Sequence, residues 1–122
     1  MTILVEGRHP GGFLVWEAFR DYCRETVTIA SGADLQPGTV LGRVTASGKY
    51  AAHLNSATNG TETAVAVLWG HADAASADKL AVAVVRGPAI VNSQDLVFAG
   101  TPSAADIAAA HAELRAASII VR

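Results

Sequence analysis

The run Pro37-Gly38-Thr39-Val40-Leu41-Gly42-Arg43-Val44-Thr45, continued by Ser47-Gly48-Lys49-Tyr50, constrains this chain more than any other stretch. Side chains alternate along a first strand, Ser47-Gly48 makes a tight turn, and a second strand returns. Glycines stand where the backbone must bend or another segment must come close. The run supplies packing surface rather than a constellation for acid–base or nucleophilic work. A β-rich domain built for contact is the expectation.

At 122 residues the chain allows one domain, with a core that hides roughly two-thirds of the unfolded chain's surface. Charged residues are 16% of the chain, against about 25% in an ordinary soluble domain. Mean hydropathy is +0.31. No apolar run approaches the roughly 18 residues of a membrane helix, so no membrane partner is expected. Apolar surface beyond what one small core can hide tends to be buried between chains. Oligomerisation is expected on that ground. The net charge is -2 with the two signs interspersed, and no basic stripe marks a nucleic-acid surface. The single Cys23 excludes an internal disulfide. Glu6, Arg8 and Pro10 interrupt the apolar start Ile3-Leu4-Val5, unlike a signal peptide. Synthesis in a reducing cytoplasm is therefore expected. Asn59-Gly60-Thr61 is read as a turn.

Residues 1–24 differ from the rest. His9-Pro10-Gly11-Gly12 breaks regular structure, Phe13-Leu14-Val15-Trp16 is a short apolar burst, and dense mixed charge follows. Two readings suit this segment. Phe13, Trp16 and Phe19 fit one face of a short helix folded on the core, or the segment is a flexible N-terminal arm that orders on a partner. The arm reading is adopted, with a single β-rich domain over 25–122. In that domain Thr26–Ala30 alternates like a strand, and Ala64–Trp69, Leu80–Val85 and Ala89–Val91 continue the pattern. Leu80–Val85 is apolar on both faces and is expected to be covered on both. His71–Asp78 reads as a loop. Thr101-Pro102-Ser103 offers two N-caps for a late helix, with Asp106 near its positive end. Ile107, His111 and Leu114 form its apolar stripe, and Ile119–Val121 closes the chain as a strand. About six strands and one C-terminal helix are expected.

Chemistry is sparse. No P-loop, G-x-S-x-G, G-x-G-x-x-G or cysteine pair occurs. His111-Ala112-Glu113 copies part of the zinc-deaminase signature without its P-C-x-x-C. Positions 111 and 113 also point apart on a helix. His71-Ala72-Asp73 would need distant help to hold a metal, and His9 and His53 sit in other contexts. Cys23 beside Arg24 has no evident general base. No catalytic residue, cofactor or metal ligand is assigned. Trp69 reads as a core or interface aromatic.

The order of motifs resembles the lambda-like head decoration proteins of tailed bacteriophages. The resembling residues include Phe13-Leu14-Val15, Arg24–Ile29, Gly38–Thr45, Gly48-Lys49-Tyr50, Asn59–Val65, Val84–Ala89, Glu113-Leu114-Arg115 and Ile119–Arg122. Relatives favour glycine before the closing strand, where this chain has Ala117-Ser118. The resemblance implies a β-clip-like domain with a helical element, no catalysis and no cofactor. It implies homotrimers on the exterior of the expanded capsid, bound to the major capsid protein at local threefold positions and bracing the shell against DNA pressure. Within that frame Phe13, Leu14, Val15 and Trp16 are the expected capsid-binding residues, since nothing in the domain is assigned to them. An arm of this kind can pair with an exposed strand edge, and three arms on one trimer gain avidity. Trp69 and Val84 are the expected trimer contacts. Two alternatives stand beside this reading. One is a small β-domain enzyme or ligand-binding module using His71, Asp73, Asp78 and Arg86; the other is a tail or baseplate part of the virion.

Overall fold

A computed structural model describes residues 7–122. In chain order the elements are β1 (Leu14–Glu17), α1 (Arg20–Cys23), β2 (Arg24–Ile29), β3 (Ala33–Leu35), β4 (Val40–Arg43), β5 (Tyr50–Ala52) and β6 (Ala66–Leu68). Then come β7 (Ala72–Ala74), β8 (Lys79–Val84), β9 (Ala89–Val91), a 3-10 turn at Ser93–Asp95, α2 (Ala104–Ala116) and β10 (Ile119–Val121). The expected class, mainly β with one long C-terminal helix, is what the chain adopts.

Five strands close a barrel in the order β2-β5-β4-β6-β8. The β-branched run of β2 pairs antiparallel with β8 along its whole length, from Arg24↔Val84 to Ile29↔Lys79. β4 and β5 form the expected hairpin, with Leu41↔Ala52 and Arg43↔Tyr50 in register. Gly48 turns at φ +74°, a conformation that costs other residues strain. Gly42 is required for a different reason: a Cβ there would overlap the Thr61 backbone.

Alternation along the barrel strands builds two cores rather than one. Leu41, Ala66, Leu68 and Ala83 point inward and meet Val27 and Ile29 inside the barrel. Their neighbours Val40, Val67 and Val84 point outward and are buried all the same. They are covered by Phe13, Ala89, Val91, Ala110, Leu114 and Ile119. The cover is a second layer made of α2 and a three-stranded sheet, β1-β9-β10. Burying each large aliphatic side chain contributes about 1.5–3 kcal/mol, so the second layer is part of the fold's stability.

Several expectations change here. Among the described residues ten strands form rather than about six. The loop expected at 71–78 contains β7, which pairs with β3 through Ala33↔Ala74, Asp34↔Asp73 and Leu35↔Ala72. These short Ala/Asp strands lack β propensity and exist because Leu35, Ala72 and Ala74 can be buried. The cover also stops short on β8. Val84 is fully buried, whereas Leu80 is 69% and Val82 37% exposed. Around residue 24 the chain runs from α1 directly into β2. Phe13 is a core residue, β1 is a strand of the covering sheet, and Cys23 is buried. Residues 1–6 of the expected arm lie outside the described residues.

On α2 the N-terminus is the expected one. Ser103 is the N-cap: its Oγ accepts from the Asp106 N–H at 3.2 Å, and its own N–H donates to Asp106 Oδ2 at 3.1 Å. This reciprocal pair satisfies two orphan donors of the first turn. Leu114 is buried as expected, but its partner in the core is Ala110, with Ile107 and His111 at the flank. The small alanine lets the helix lie close.

Candidate functional site

The four residues Phe13, Leu14, Val15 and Trp16 divide into two pairs. Phe13 is 2% exposed and meets Trp69 edge-on, with centroids 5.9 Å apart. Leu14 packs against the same core. The β1–β9 register then slips between Leu14↔Val91 and Trp16↔Ile90. A bulge of this kind inserts one extra residue and re-aims side chains. Val15 and Trp16 are thereby turned outward, 58% and 51% exposed. The strict alternation read from sequence cannot show that, because the extra residue is set by pairing.

Of the expected trimer contacts, Trp69 is partly buried and Val84 fully buried within the single chain. Val84 has no exposed surface. Trp69 is wedged between Phe13 and the Arg24 guanidinium, which lies 3.4 Å from its ring centroid. Arg24 in turn grips Glu17 with two hydrogen bonds, and both side chains are largely buried. Cation–π contact and a two-point carboxylate grip reinforce each other in such a desolvated stack. The column Phe13–Trp69–Arg24–Glu17 fastens β1 to the barrel. It consumes the aromatic face of Trp69 inside the chain.

The rival cluster of His71, Asp73, Asp78 and Arg86 is dispersed. His71 Nε2 pairs with Asp34 across the β3–β7 ribbon. The Asp73 carboxylate accepts from the Ala75 N–H at 3.3 Å. Asp78 binds Lys49 and the Ser31 N–H, and these contacts, Lys49 first, hold its carboxyl below the usual range. Arg86 binds Glu25 and the Tyr22 carbonyl, and Glu25 raises its pKa further. Each group is spent on a separate structural partner. His111 and Glu113 diverge as well: Glu113 Oε1 accepts from the Ala64 N–H, while His111 tilts against Phe98. Cys23 is fully buried with its sulfur near the Pro88 carbonyl. Among the described residues no group of three or more His, Cys, Asp or Glu side chains is placed to hold a metal. No helix among the described residues is long and apolar enough to cross a membrane.

What the surface does offer is apolar. Phe19, at the N-cap of α1, and Tyr22, within it, are 72% and 59% exposed, and Leu80 and Val82 stand on the outer barrel wall. The sequence marks Leu80–Val85 as apolar on both faces but not which of its residues stay exposed. Only the extent of the covering layer decides which apolar residue stays outside.

A family model described as bacteriophage lambda head decoration protein D matches residues 3–119. No curated protein matches the chain.

Proposed function

The chain belongs to the bacteriophage lambda head decoration protein D family, a capsid-decorating structural family of the phage head, and from that premise we propose that it cements the shell. In this reading it binds the major capsid protein on the exterior of the expanded head, as trimers at local threefold positions. There it resists the outward pressure of packaged DNA, and it carries no catalytic site, cofactor or nucleic-acid contact. It is made in the host cytoplasm and joins the particle after expansion. The family match across nearly the whole chain carries the proposal.

The surface supports it. A cementing protein needs apolar contacts on a rigid body, and the exposed apolar side chains stand on strands fastened to a two-layer core. Val15 and Trp16 are the capsid-facing residues of the original four, since Phe13 is used inside the chain. Self-association falls to Leu80 and Val82 rather than to Val84. Weak contacts suffice when three act together, because linkage can raise avidity by roughly 10²–10⁴ over one contact.

The test is to mix purified protein with expanded, undecorated heads and image the particles by electron microscopy. Trimeric density over the threefold positions, with heads more resistant to heat, is the expected result. Density elsewhere, or on the tail, would refute the placement.

A further inference from the structure

The covering sheet has a second face. Its inner face gives Leu14, Ala89, Val91, Ile119 and Val121 to the core. In a strand the intervening residues point the other way. The register places Trp16 opposite Ile90, and Ile90 opposite Ile120. One apolar row therefore crosses all three strands on the outer face. Trp16 is half exposed, Ile90 and Ile120 are partly exposed, and the bulge adds Val15 at the rim. With strands about 4.8 Å apart, the row spans on the order of 10 Å between its outer backbones. No charged side chain belongs to it. A tryptophan beside packed aliphatics is the composition of an interface hot spot.

We infer that this outer face of β1-β9-β10, centred on Trp16, Ile90 and Ile120, docks on an apolar surface of the major capsid protein. The inference rests on the decoration reading. Two observations favour the capsid protein over a second copy of the chain. The family assigns a capsid contact, and Val15 and Trp16, its exposed candidates, lie in the same row. A separate apolar face, Leu80 and Val82 on the barrel wall, is left for self-association. Ile90 and Ile120 thereby become binding residues, though the sequence marks them only as strand positions.

The test compares wild type, the double variant Ile90→Thr/Ile120→Thr, Trp16→Gln and, as a control, Leu54→Ser, an exposed apolar residue that belongs to neither face. Each is assayed for co-sedimentation with expanded, undecorated heads, for melting by circular dichroism, and for self-association by light scattering. Threonine keeps the β-branch, and Trp16→Gln lies on an exposed edge position should the double variant fold poorly. The row variants should bind heads about 10-fold or more weaker, with melting and self-association unchanged, while Leu54→Ser binds heads normally. Row variants that bind like wild type overturn the inference and leave decoration standing. So do row variants that lose self-association alone, which would assign the face to a second copy. Wild type failing to bind heads overturns the decoration reading itself.

Discussion

Ser118 turns the chain from α2 into β10 at φ +63°, the one left-handed residue other than glycine among those described. The resembling family favours glycine at this turn, and the conformation is the one glycine adopts without strain. The identity of the turn was legible from the chain; that serine would accept glycine's geometry was not, because strain is offset by contacts elsewhere. His111 was legible only as a helix-face residue. Its Nε2 is buried without a hydrogen-bond partner. The ring tilts against Phe98, which meets His53 on its other side. Burial lowers the pKa of His111 from its ordinary 6.5. The unfolded chain therefore binds a proton that the folded chain resists, and stability falls as pH drops through and below about 6.5. Urea titrations at pH 7.5 and 5 should show the protein weaker at pH 5. His111→Leu should flatten that difference, since a leucine has no proton to take up. An unchanged pH dependence in the variant would rule out His111 as its source. Asp78, with its lowered carboxyl, loses its contribution only at more acid pH.

At the scale of elements, β2, β4, β5, β6, β8 and α2 were readable because their patterns are strong and their turns are marked by glycine or a capping serine. β3 and β7 were not, since Ala-Asp-Ala has no strand signature until Leu35 and the barrel wall give it somewhere to pack. β1 was misjudged for a related reason. Its breaker Pro10-Gly11-Gly12 suggested separation, yet Gly11 hydrogen bonds the Trp69 carbonyl and Ala18 the Pro88 carbonyl. The segment is tied in on both sides of the strand. Phe13→Ala should accordingly cost about 3–5 kcal/mol, read from denaturant midpoints. Deleting residues 1–20 should destabilise at least as much, because it also leaves Arg24 without Glu17. A deletion protein that melts within a few degrees of wild type would return β1 to the status of a dispensable arm.

For the molecule as a whole, the pattern announced a β-rich domain with spare apolar surface, and that much was readable from composition. Where the surplus lies was not. The same alternation produces Val84, buried under the second layer, and Val82, two residues back and partly bare. Only the reach of the covering sheet and α2 separates them. Val84→Asp should unfold the chain, since an unpaired carboxylate in that core costs several kcal/mol. Leu80→Ser with Val82→Thr should leave the melting temperature within a few degrees and weaken self-association in sedimentation runs. If the double variant associates as well as wild type, the barrel wall is not the contact between copies.

The covering sheet also sets an order in time. β9 receives β1 from about seventy residues before it and β10 from near the C-terminal end. Pairings that far apart in sequence form late, after the loops between them have closed. The five barrel strands all lie at or before β8, so their pairing can begin before the last third of the chain is in place, and Val40, Val67 and Val84 are buried once the second layer arrives. The row from Trp16 to Ile120 cannot begin so early. It comes into being only when residues 119–121 reach β9, so a truncated or half-folded copy has no docking row to show. On the proposed reading, the docking face exists only in a chain whose β10 has joined β9.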